Sequence, residues 1–245
     1  RATALRVTGG GFVLDLDDDT RITARSVVLA GGVQYQRLPI EGLDRFEGRG
    51  IAYAATELEA RRCTDVSVVI IGGGNSAGQA AMFLSRRAAQ VHVVVRGVGL
   101  SSTMSSYLSQ RLNSDDRIKI HPGTEVVAVR GRTRLQELTL CDRVTGRRQE
   151  RPADALFVMI GAVPDTAWLA DLVETDHAGF VLTGCDATAA AAPFESSQRG
   201  VFVVGDLRAQ SVRRVASAVG EGSVVISSVH AHLNGRGPAL SLRRP

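Results

Sequence analysis

The most constraining feature of this chain is a β-branched run that ends in a glycine-rich turn and continues into an alanine-rich segment, VSVVIIGGGNSAGQAA over residues 66–81. The apolar run Val66–Ile71 is typical of a strand buried on both faces of a parallel sheet. The segment Ser76–Ala88 carries its apolar residues at helical spacing. A strand, a glycine turn and a helix in this order predict one βα unit of an α/β fold with a parallel sheet.

The turn itself, GGGNSA, fits the pattern G-x-G-x-x-G/A. Gly72 permits the tight turn, Gly74 lets the backbone approach a pyrophosphate, and Ala77 keeps the helix close to the sheet. The helix N-terminus at Asn75 and Ser76 supplies N–H donors to an anion. The sequence therefore predicts a dinucleotide site, and a glycine turn without a ligand is the alternative.

The end of the next strand-like run, Val91–Val95, indicates which dinucleotide binds. An NAD site usually has an acid here, about 20 residues past the glycines, which binds the ribose 2′-hydroxyl. This chain has Arg96 instead and no acid before Asp115. A cation accommodates a 2′-phosphate, so we expect NADP(H) rather than NAD(H). The alternative is that Arg96 is a strand-end cation that faces solvent.

Composition excludes several other classes. The 245 residues carry a net charge of +4 with scattered arginines, and only 4% are aromatic, so we expect no nucleic-acid partner. No apolar run reaches the ~18 residues that a membrane span needs, so we expect no membrane association. Cys63, Cys141 and Cys185 are odd in number and far apart, which suits a reducing, cytoplasmic compartment. The first residue is Arg1, which suggests a truncated or processed chain.

The remaining pattern predicts a β-meander, a βα alternation and a return to mixed structure. The meander ends in a strand over Ser26–Ala30, and connector composition follows it. Beyond the segments already named, the sequence predicts helices over Ser105–Leu112, near Trp168–Leu172 and over Arg214–Leu233, and strands over Arg117–His121, Glu125–Arg130, Leu135–Asp142, Ala155–Ile160 and Val201–Val204. The β-branched runs favour a parallel sheet with crossover helices.

A second nucleotide signal lies in RGVFVVGDLR, residues 199–208. A buried strand that ends in Gly205-Asp206 places a carboxylate at the carboxyl edge of a sheet, where ligands bind in open α/β folds. The helix that follows could direct its N-terminal dipole at the same ligand.

Five segments occur together in the order of a known family: VVLAGG, GRGIAY, GGGNSA, VMIGAVPDT, and GVFVVGDLR with RRVASAVGEG. In these segments the chain resembles the thioredoxin reductase-like pyridine nucleotide–disulfide oxidoreductases. The resemblance implies a Rossmann-like three-layer NAD(P)-binding domain, residues 45–163, inserted into an FAD-binding domain formed by residues 1–44 and 164–245. It implies that Ile160 and Gly161 lie in the cofactor region. It further implies that Gly205 and Asp206 contact FAD ribityl and phosphate groups, with Arg213, Arg214 and Val215 near the isoalloxazine.

The chain departs from this family at three places. The family's Cys-Ala-Thr-Cys falls on Ala54-Ala55-Thr56-Glu57, which offers no dithiol. Of the family's phosphate-binding H-R-R-x-x-x-R only Arg96 remains, and the last arginine falls on Ser101. The family's N-terminal FAD fingerprint does not lie in these residues, so we expect FAD to be held only in a longer parent.

These departures leave two hypotheses. The first is an NADPH-dependent flavin oxidoreductase that passes electrons to a non-disulfide acceptor such as ferredoxin, a quinone or another small molecule, with no catalytic side chain of its own. The second is a non-catalytic NADP(H)-binding or regulatory module. We also expect a homodimer and no metal, since the five histidines share no ligand spacing and each is expected to be solvated or capping. Glu57 is expected to be a solvated helix-start acid, with a proton relay as the alternative.

Overall fold

The computed structural model describes residues 1–100, 104–169, 172–190 and 192–235. Within these ranges the chain forms strands and α-helices joined by short 3₁₀ turns. The strands are β1 (Ala2–Thr8), β2 (Gly11–Leu16), β3 (Arg21–Ala24), β4 (Val27–Leu29), β5 (Val33–Tyr35), β6 (Ile51–Ala52), β7 (Ser67–Ile71), β8 (Gln90–Val94), β9 (Ile118–His121), β10 (Thr124–Gly131), β11 (Leu135–Asp142), β12 (Arg148–Pro152), β13 (Ala155–Val158), β14 (Ala162–Pro164) and β15 (Val201–Val203). The helices are α1 (Glu57–Arg61), α2 (Asn75–Leu84), α3 (Ser106–Asn113) and α4 (Val215–Leu233).

The chain divides into two compact units, one formed by residues 35–161 and the other by residues 1–34 together with residues 162 onward. The first boundary lies ten residues before the predicted one at 44/45. The difference arises because Leu38, Ile40 and Leu43 pack against the apolar core of the unit 35–161. The second boundary lies two residues before the predicted one at 163/164.

The unit 35–161 has three layers around a parallel sheet in the order β6-β13-β7-β8-β9. In the register of the sheet, Val69 in the central strand lies opposite Leu156 of β13 and His92 of β8. Helices α2 and α3 cover one face and bury Ala77, Leu84 and other small apolar residues. This arrangement is the α/β architecture that the β-branched runs predict.

The third layer is an antiparallel sheet, β10-β11-β12, which covers the other face of the parallel sheet. The expectation that the β-branched runs belong to a parallel sheet is therefore wrong for β10 and β11. In β11, Leu138 and Leu140 enter the core, whereas Glu137, one position before Leu138, and Cys141, one position after Leu140, are only part-buried. A partly buried strand of this kind is typical of an antiparallel sheet with one outward face.

The unit formed by residues 1–34 and 162 onward contains the antiparallel meander β1-β2-β3 and the parallel pair β4·β15. Its core includes Leu5, Val27, Val203 and Leu207. The predicted helix near Trp168–Leu172 is a 3₁₀ turn over Ala167–Leu169, and residues 170 and 171 lie outside the described residues. In the described ranges, no helix combines the length and hydropathy that crossing a membrane requires.

Candidate functional site

The glycine turn lies at the carboxyl end of β7 and is held by both neighbouring strands. Gly72 has φ of +142°, and its N–H donates to the Val94 carbonyl of β8 at 3.1 Å. A Cβ atom here would lie 2.4 Å from the carbonyl oxygen of Met159, which follows β13. Only glycine fits this position, because a side chain would meet backbone on the adjacent strand.

The first turn of α2 is open toward solvent. Gly74 is the N-cap in extended conformation (φ −95°, ψ 179°), and no side chain of the described residues caps the helix. The first N–H groups of a helix have no partner within it, so they are available to an anion. Ala77 is fully buried against the sheet, and Ser76 is exposed. These features fit a bound pyrophosphate.

Asn75 has a different local role from the one that the sequence suggests. Its Oδ1 accepts a hydrogen bond from the backbone N–H of Ser105 at 2.8 Å. Ser105 is the N-cap of α3, so this contact fixes the start of α3 beside the glycine turn. The Asn75 side chain is therefore used in positioning α3, while its backbone remains in the open first turn.

Arg96 lies just beyond β8, and its side chain is exposed. Its backbone carbonyl accepts a hydrogen bond from the guanidinium of Arg143 at 3.1 Å. Ser101, where the family has its last phosphate-binding arginine, lies outside the described residues. The structure thus brings a second cation to the end of β8 from a segment 47 residues away.

The predicted cofactor residues of this unit gather along one sheet edge. The glycine turn follows β7, Arg96 follows β8, and Ile160 and Gly161 follow β13, which are three adjacent parallel strands. Ile160 is half-buried and packs against the core, and Gly161, with φ of +109°, accepts from the Gln36 N–H at 3.1 Å. The carboxyl edge of a parallel sheet is where α/β folds bind nucleotides.

Residues 54–57, which we call the approach segment, lie where the resemblance places the Cys-Ala-Thr-Cys motif. They lead into α1 and contain no thiol. Thr56 caps the helix in a capping box with Glu59, an arrangement that satisfies backbone N–H groups. Glu57 is the first helical residue, and its carboxylate pairs with Arg87 at 2.7 Å and with Arg61 at 3.6 Å. Glu57 is thus a helix-start acid in an ion-pair network.

All three cysteines are free thiols. Cys63, which follows α1, is buried, and burial raises its pKa to about 11, with further contributions from Glu59 and Asp154. Because the thiolate is the reactive form, this thiol is inert at neutral pH. Cys141 is half-buried and Cys185 is exposed.

Tyr53, which directly precedes residues 54–57, is part of a polar cluster. Its hydroxyl donates to Glu47 at 2.7 Å, and Arg37 donates to the other oxygen of that carboxylate at 3.0 Å. Burial and the Glu47 carboxylate raise the pKa of Tyr53 to about 12. The Tyr35 ring stacks on Tyr53 with centroids 5.9 Å apart. The phenol is thus held neutral as a hydrogen-bond donor.

In the unit that contains β15, the predicted Gly205-Asp206 pair opens a 3₁₀ turn directly after the strand. The Gly205 N–H donates to Glu221 of α4 at 2.7 Å, and Arg208 pairs with the same carboxylate at 2.5 Å. Burial raises the pKa of Glu221, but the hydrogen bonds from Arg208 and Gly205 outweigh it, so the pKa is lowered. Among the described residues the half-buried Asp206 carboxylate has no recorded hydrogen bond, which fits an acceptor for a ligand hydroxyl.

The start of α4 contains the other three predicted flavin residues. The Arg213 guanidinium lies over the Phe180 ring, 4.5 Å from its centroid. Arg214 is the N-cap and makes no side-chain capping bond, and Val215 is 83% exposed. The N-terminus of α4 is therefore uncapped, and its first N–H groups are open to a ligand.

One cluster contradicts the expectation that every histidine is solvated or capping. His92 is buried on β8, and its Nδ1 lies 3.0 Å from Nε2 of His121 on β9. Arg151 lies 3.2 Å from the other ring nitrogen. Burial, then Arg151, His121 and Lys119 lower the pKa of His92 to about 4. The sequence pattern misses this pair because the two residues meet only when β8 and β9 align.

Comparison with known proteins shows which family contains this chain. The sequence profile described as pyridine nucleotide-disulphide oxidoreductase matches residues 2–222. The chain belongs to this family.

Family members that resemble it include the thioredoxin reductase of Treponema pallidum, which is 32% identical over 212 residues, 86% of this chain and 66% of that protein. An alkyl hydroperoxide reductase component of Staphylococcus epidermidis is 28% identical over 223 residues, 91% of this chain and 42% of that protein. This chain of the pyridine nucleotide-disulphide oxidoreductase family therefore spans less than two thirds of the length of either relative. The solved thioredoxin reductase of Streptococcus pyogenes has a TM-score of 0.82 at 24% identity, covering 96% of this chain and 74% of that one, and so shares the fold.

Proposed function

We propose that this chain forms the nucleotide-binding part of an NADPH-dependent flavin oxidoreductase of the thioredoxin reductase-like type, which passes electrons to a non-disulfide acceptor. The observation that carries the proposal is the combination of two features in one unit. The carboxyl edge of the parallel sheet has a glycine turn that fits a nucleotide, and residues 54–57 contain no cysteine. Hydride chemistry is supplied by the nicotinamide and flavin when bound, and the residues of the chain bind and orient them.

The nucleotide part of the proposal rests on the unit 35–161. The uncapped first turn of α2 and the positive-φ glycine after β7 fit a pyrophosphate. Arg96, exposed at the end of β8, fits the adenosine 2′-phosphate. Since the named relatives include thioredoxin reductases, NADPH is the dinucleotide we propose.

The flavin part rests on the other unit. Asp206 offers a carboxylate with no recorded partner among the described residues, and Gly205 is fixed by Glu221 so that Asp206 follows β15 at a defined position. The open N-terminus of α4 lies in the same unit. We propose that these groups bind the ribityl and isoalloxazine half of FAD.

The acceptor part rests on the cysteines. A disulfide reductase needs a thiol pair to carry electrons from flavin to substrate. Ala54 and Glu57 replace such a pair, and the nearby Cys63 is buried with its pKa raised to about 11. We therefore propose an acceptor other than a protein disulfide. The three free thiols also suit a cytoplasmic setting, and a homodimer, which light scattering tests, remains our expectation.

Titration of NADPH and NADH into the chain, followed by nicotinamide fluorescence, tests the nucleotide site. Gly74 has φ of −95°, which any residue adopts, so Gly74→Val should fold while its side chain blocks the pyrophosphate. We expect NADPH binding ten- to a hundredfold tighter than NADH binding, from a charge-assisted contact of about 1.5–3 kcal/mol. Binding of NADPH should be lost in Gly74→Val.

A Gln79→Ala variant is the matched control, because Gln79 is exposed on the same helix. Equal NADPH affinity in the wild type and Gly74→Val contradicts the proposed site, and tighter NADH binding contradicts the cofactor choice. NADP(H) binding without electron transfer in the longer, FAD-loaded parent favours the regulatory-module hypothesis.

A further inference from the structure

The loop after β8 receives a second cation across the layers. The hairpin between β11 and β12 places Arg143 beside the strand end that carries Arg96. The Arg143 N–H donates to the Gly123 carbonyl at 2.8 Å, and Gly123 in turn donates to the carbonyl of Gly97 at 2.8 Å. Two backbone hydrogen bonds therefore connect the hairpin to the Arg96–Gly97 segment.

Hydrogen bonds close the hairpin turn and thereby define the backbone position of Arg143. The Asp142 carboxylate accepts from the N–H groups of Val144 and Thr145 at 2.9 and 2.8 Å. These hydrogen bonds hold the pKa of Asp142 below its usual value. One oxygen of this carboxylate accepts both turn hydrogen bonds, and within the described residues Asp142 forms no ion pair with Arg143.

The side chain of Arg143 reaches over this segment with donors to spare. One terminal nitrogen donates to the Arg96 carbonyl at 3.1 Å, and Nε lies 3.7 Å from the Glu125 carboxylate, beyond hydrogen-bond distance. The second terminal nitrogen makes no hydrogen bond to any of the described residues. Half of the Arg143 side chain is exposed. A guanidinium carries five N–H donors in a planar fork that matches phosphate oxygens.

We propose that Arg143 is a specificity residue for the adenosine 2′-phosphate, which it binds together with Arg96. The inference rests on the proposed nucleotide site and extends it to a residue in another layer of the fold. Arg96 is exposed directly after β8, and the Arg143 guanidinium donates to its carbonyl, so the two neighbouring cations can together contact a phosphate with three terminal oxygens. Glu125 is the nearby carboxylate that competes for Arg143.

Two nucleotides that carry their second phosphate at different positions test this proposal, since 2′,5′-ADP has it on the 2′-hydroxyl and 5′-ADP has it on the 5′-phosphate. Calorimetric titration of both separates the effect of a variant on the 2′-phosphate contact from its effect on the rest of the nucleotide site. Arg143→Gln should weaken 2′,5′-ADP binding about tenfold, the low end for a charge-assisted hydrogen bond at an exposed site. It should leave 5′-ADP binding unchanged. Glu125→Gln should strengthen 2′,5′-ADP binding, because it removes the competing carboxylate.

Arg147→Gln is the matched control, since Arg147 is an exposed cation of the same hairpin whose side chain makes no hydrogen bond within the described part of the chain. Equal 2′,5′-ADP affinities in Arg143→Gln and Arg147→Gln overturn the inference, as does an equal loss for both nucleotides in Arg143→Gln. If the wild type binds neither nucleotide, the proposed nucleotide site itself fails. If the wild type binds 5′-ADP but Arg143→Gln binds 2′,5′-ADP as tightly as the wild type does, only the proposed role of Arg143 is refuted.

Discussion

Single residues in this chain are constrained by backbone contacts as much as by chemistry. Gly72 and Gly74 belong to the same turn, yet their backbone conformations differ, with φ of +142° and −95° respectively. At Gly72 a side chain would collide with the strand next to β7, whereas the Gly74 backbone is in ordinary extended conformation. Substitutions at these two positions should therefore separate stability from binding.

Gly72→Ala should lower the free energy of unfolding by about 2–4 kcal/mol, because it combines a strained φ with a backbone collision. Urea unfolding measures the change. Gly97→Ala is the control, since a Cβ atom there meets only the Gly99 carbonyl at 3.9 Å. A Gly72→Ala variant as stable as Gly97→Ala would show that the turn can relax away from Met159.

The buried His92–His121 pair makes stability depend on pH. The folded pKa of His92, about 4, lies below its ordinary value of 6.5, so the folded state binds fewer protons than the unfolded state between these values. Stability should therefore be fully present above pH 6.5 and fall as the pH decreases toward 4. One full proton gives about 1.4 kcal/mol per pH unit, so we expect a loss of about 1–3 kcal/mol from pH 7 to pH 4.5.

Urea midpoints over that pH range, for the wild type and for His92→Gln, measure this effect. The variant should start less stable and lose less stability on acidification. His177→Gln, which changes an exposed histidine, should follow the wild-type profile. Parallel pH profiles for the wild type and His92→Gln would assign the acid sensitivity to other groups.

At the level of secondary-structure elements, local sequence patterns predict individual strands, turns and helices but not how the strands pair. The sequence predicts the βα unit around the glycine turn within a few residues, because a buried strand, a turn and a helix each have a sequence signature. It does not predict the antiparallel placement of β10 and β11, since sheet pairing depends on contacts distant in sequence. The sequence also does not predict the contacts of Arg143 with Arg96 and of Glu221 with Gly205. Each joins residues far apart in the chain, and no local sequence pattern indicates either of them.

The contact between α4 and the turn after β15 gives a prediction at this scale. Glu221→Ala leaves a half-buried Arg208 and the Gly205 N–H without their acceptor, so we expect a loss of about 2–3 kcal/mol, below the value for a fully buried pair. Glu221→Gln keeps an acceptor and should lose about half as much. Ser223→Ala, at an exposed position of the same helix, should change stability by a few tenths of a kcal/mol.

Urea unfolding of the three variants orders these effects. A Glu221→Ala variant that is as stable as Ser223→Ala would mean that the ion pair contributes nothing to holding the turn that carries Asp206. In that case the position of Asp206 would depend on β15 alone.

At the scale of the whole molecule, the distribution of thiols limits the chemistry that the chain can perform. The three cysteines differ in exposure, and residues 54–57 contain none. The thiols should therefore react with DTNB in the order of their exposure: Cys185 rapidly, Cys141 more slowly, and Cys63 only after unfolding, since burial raises its pKa to about 11. The total under denaturing conditions should be three, both before and after incubation of the protein with NADPH.

The longer parent, loaded with FAD, should show no NADPH-dependent reduction of thioredoxin, while it reduces a one-electron acceptor such as ferricyanide. An Ala54→Cys/Glu57→Cys variant is the informative control, because it restores two thiols at the spacing of a redox motif and adds two DTNB-reactive groups that NADPH can release from a disulfide. Thioredoxin reduction by the wild type that disappears in Cys63→Ala would contradict the proposal, because it would require the buried thiol to become exposed during turnover.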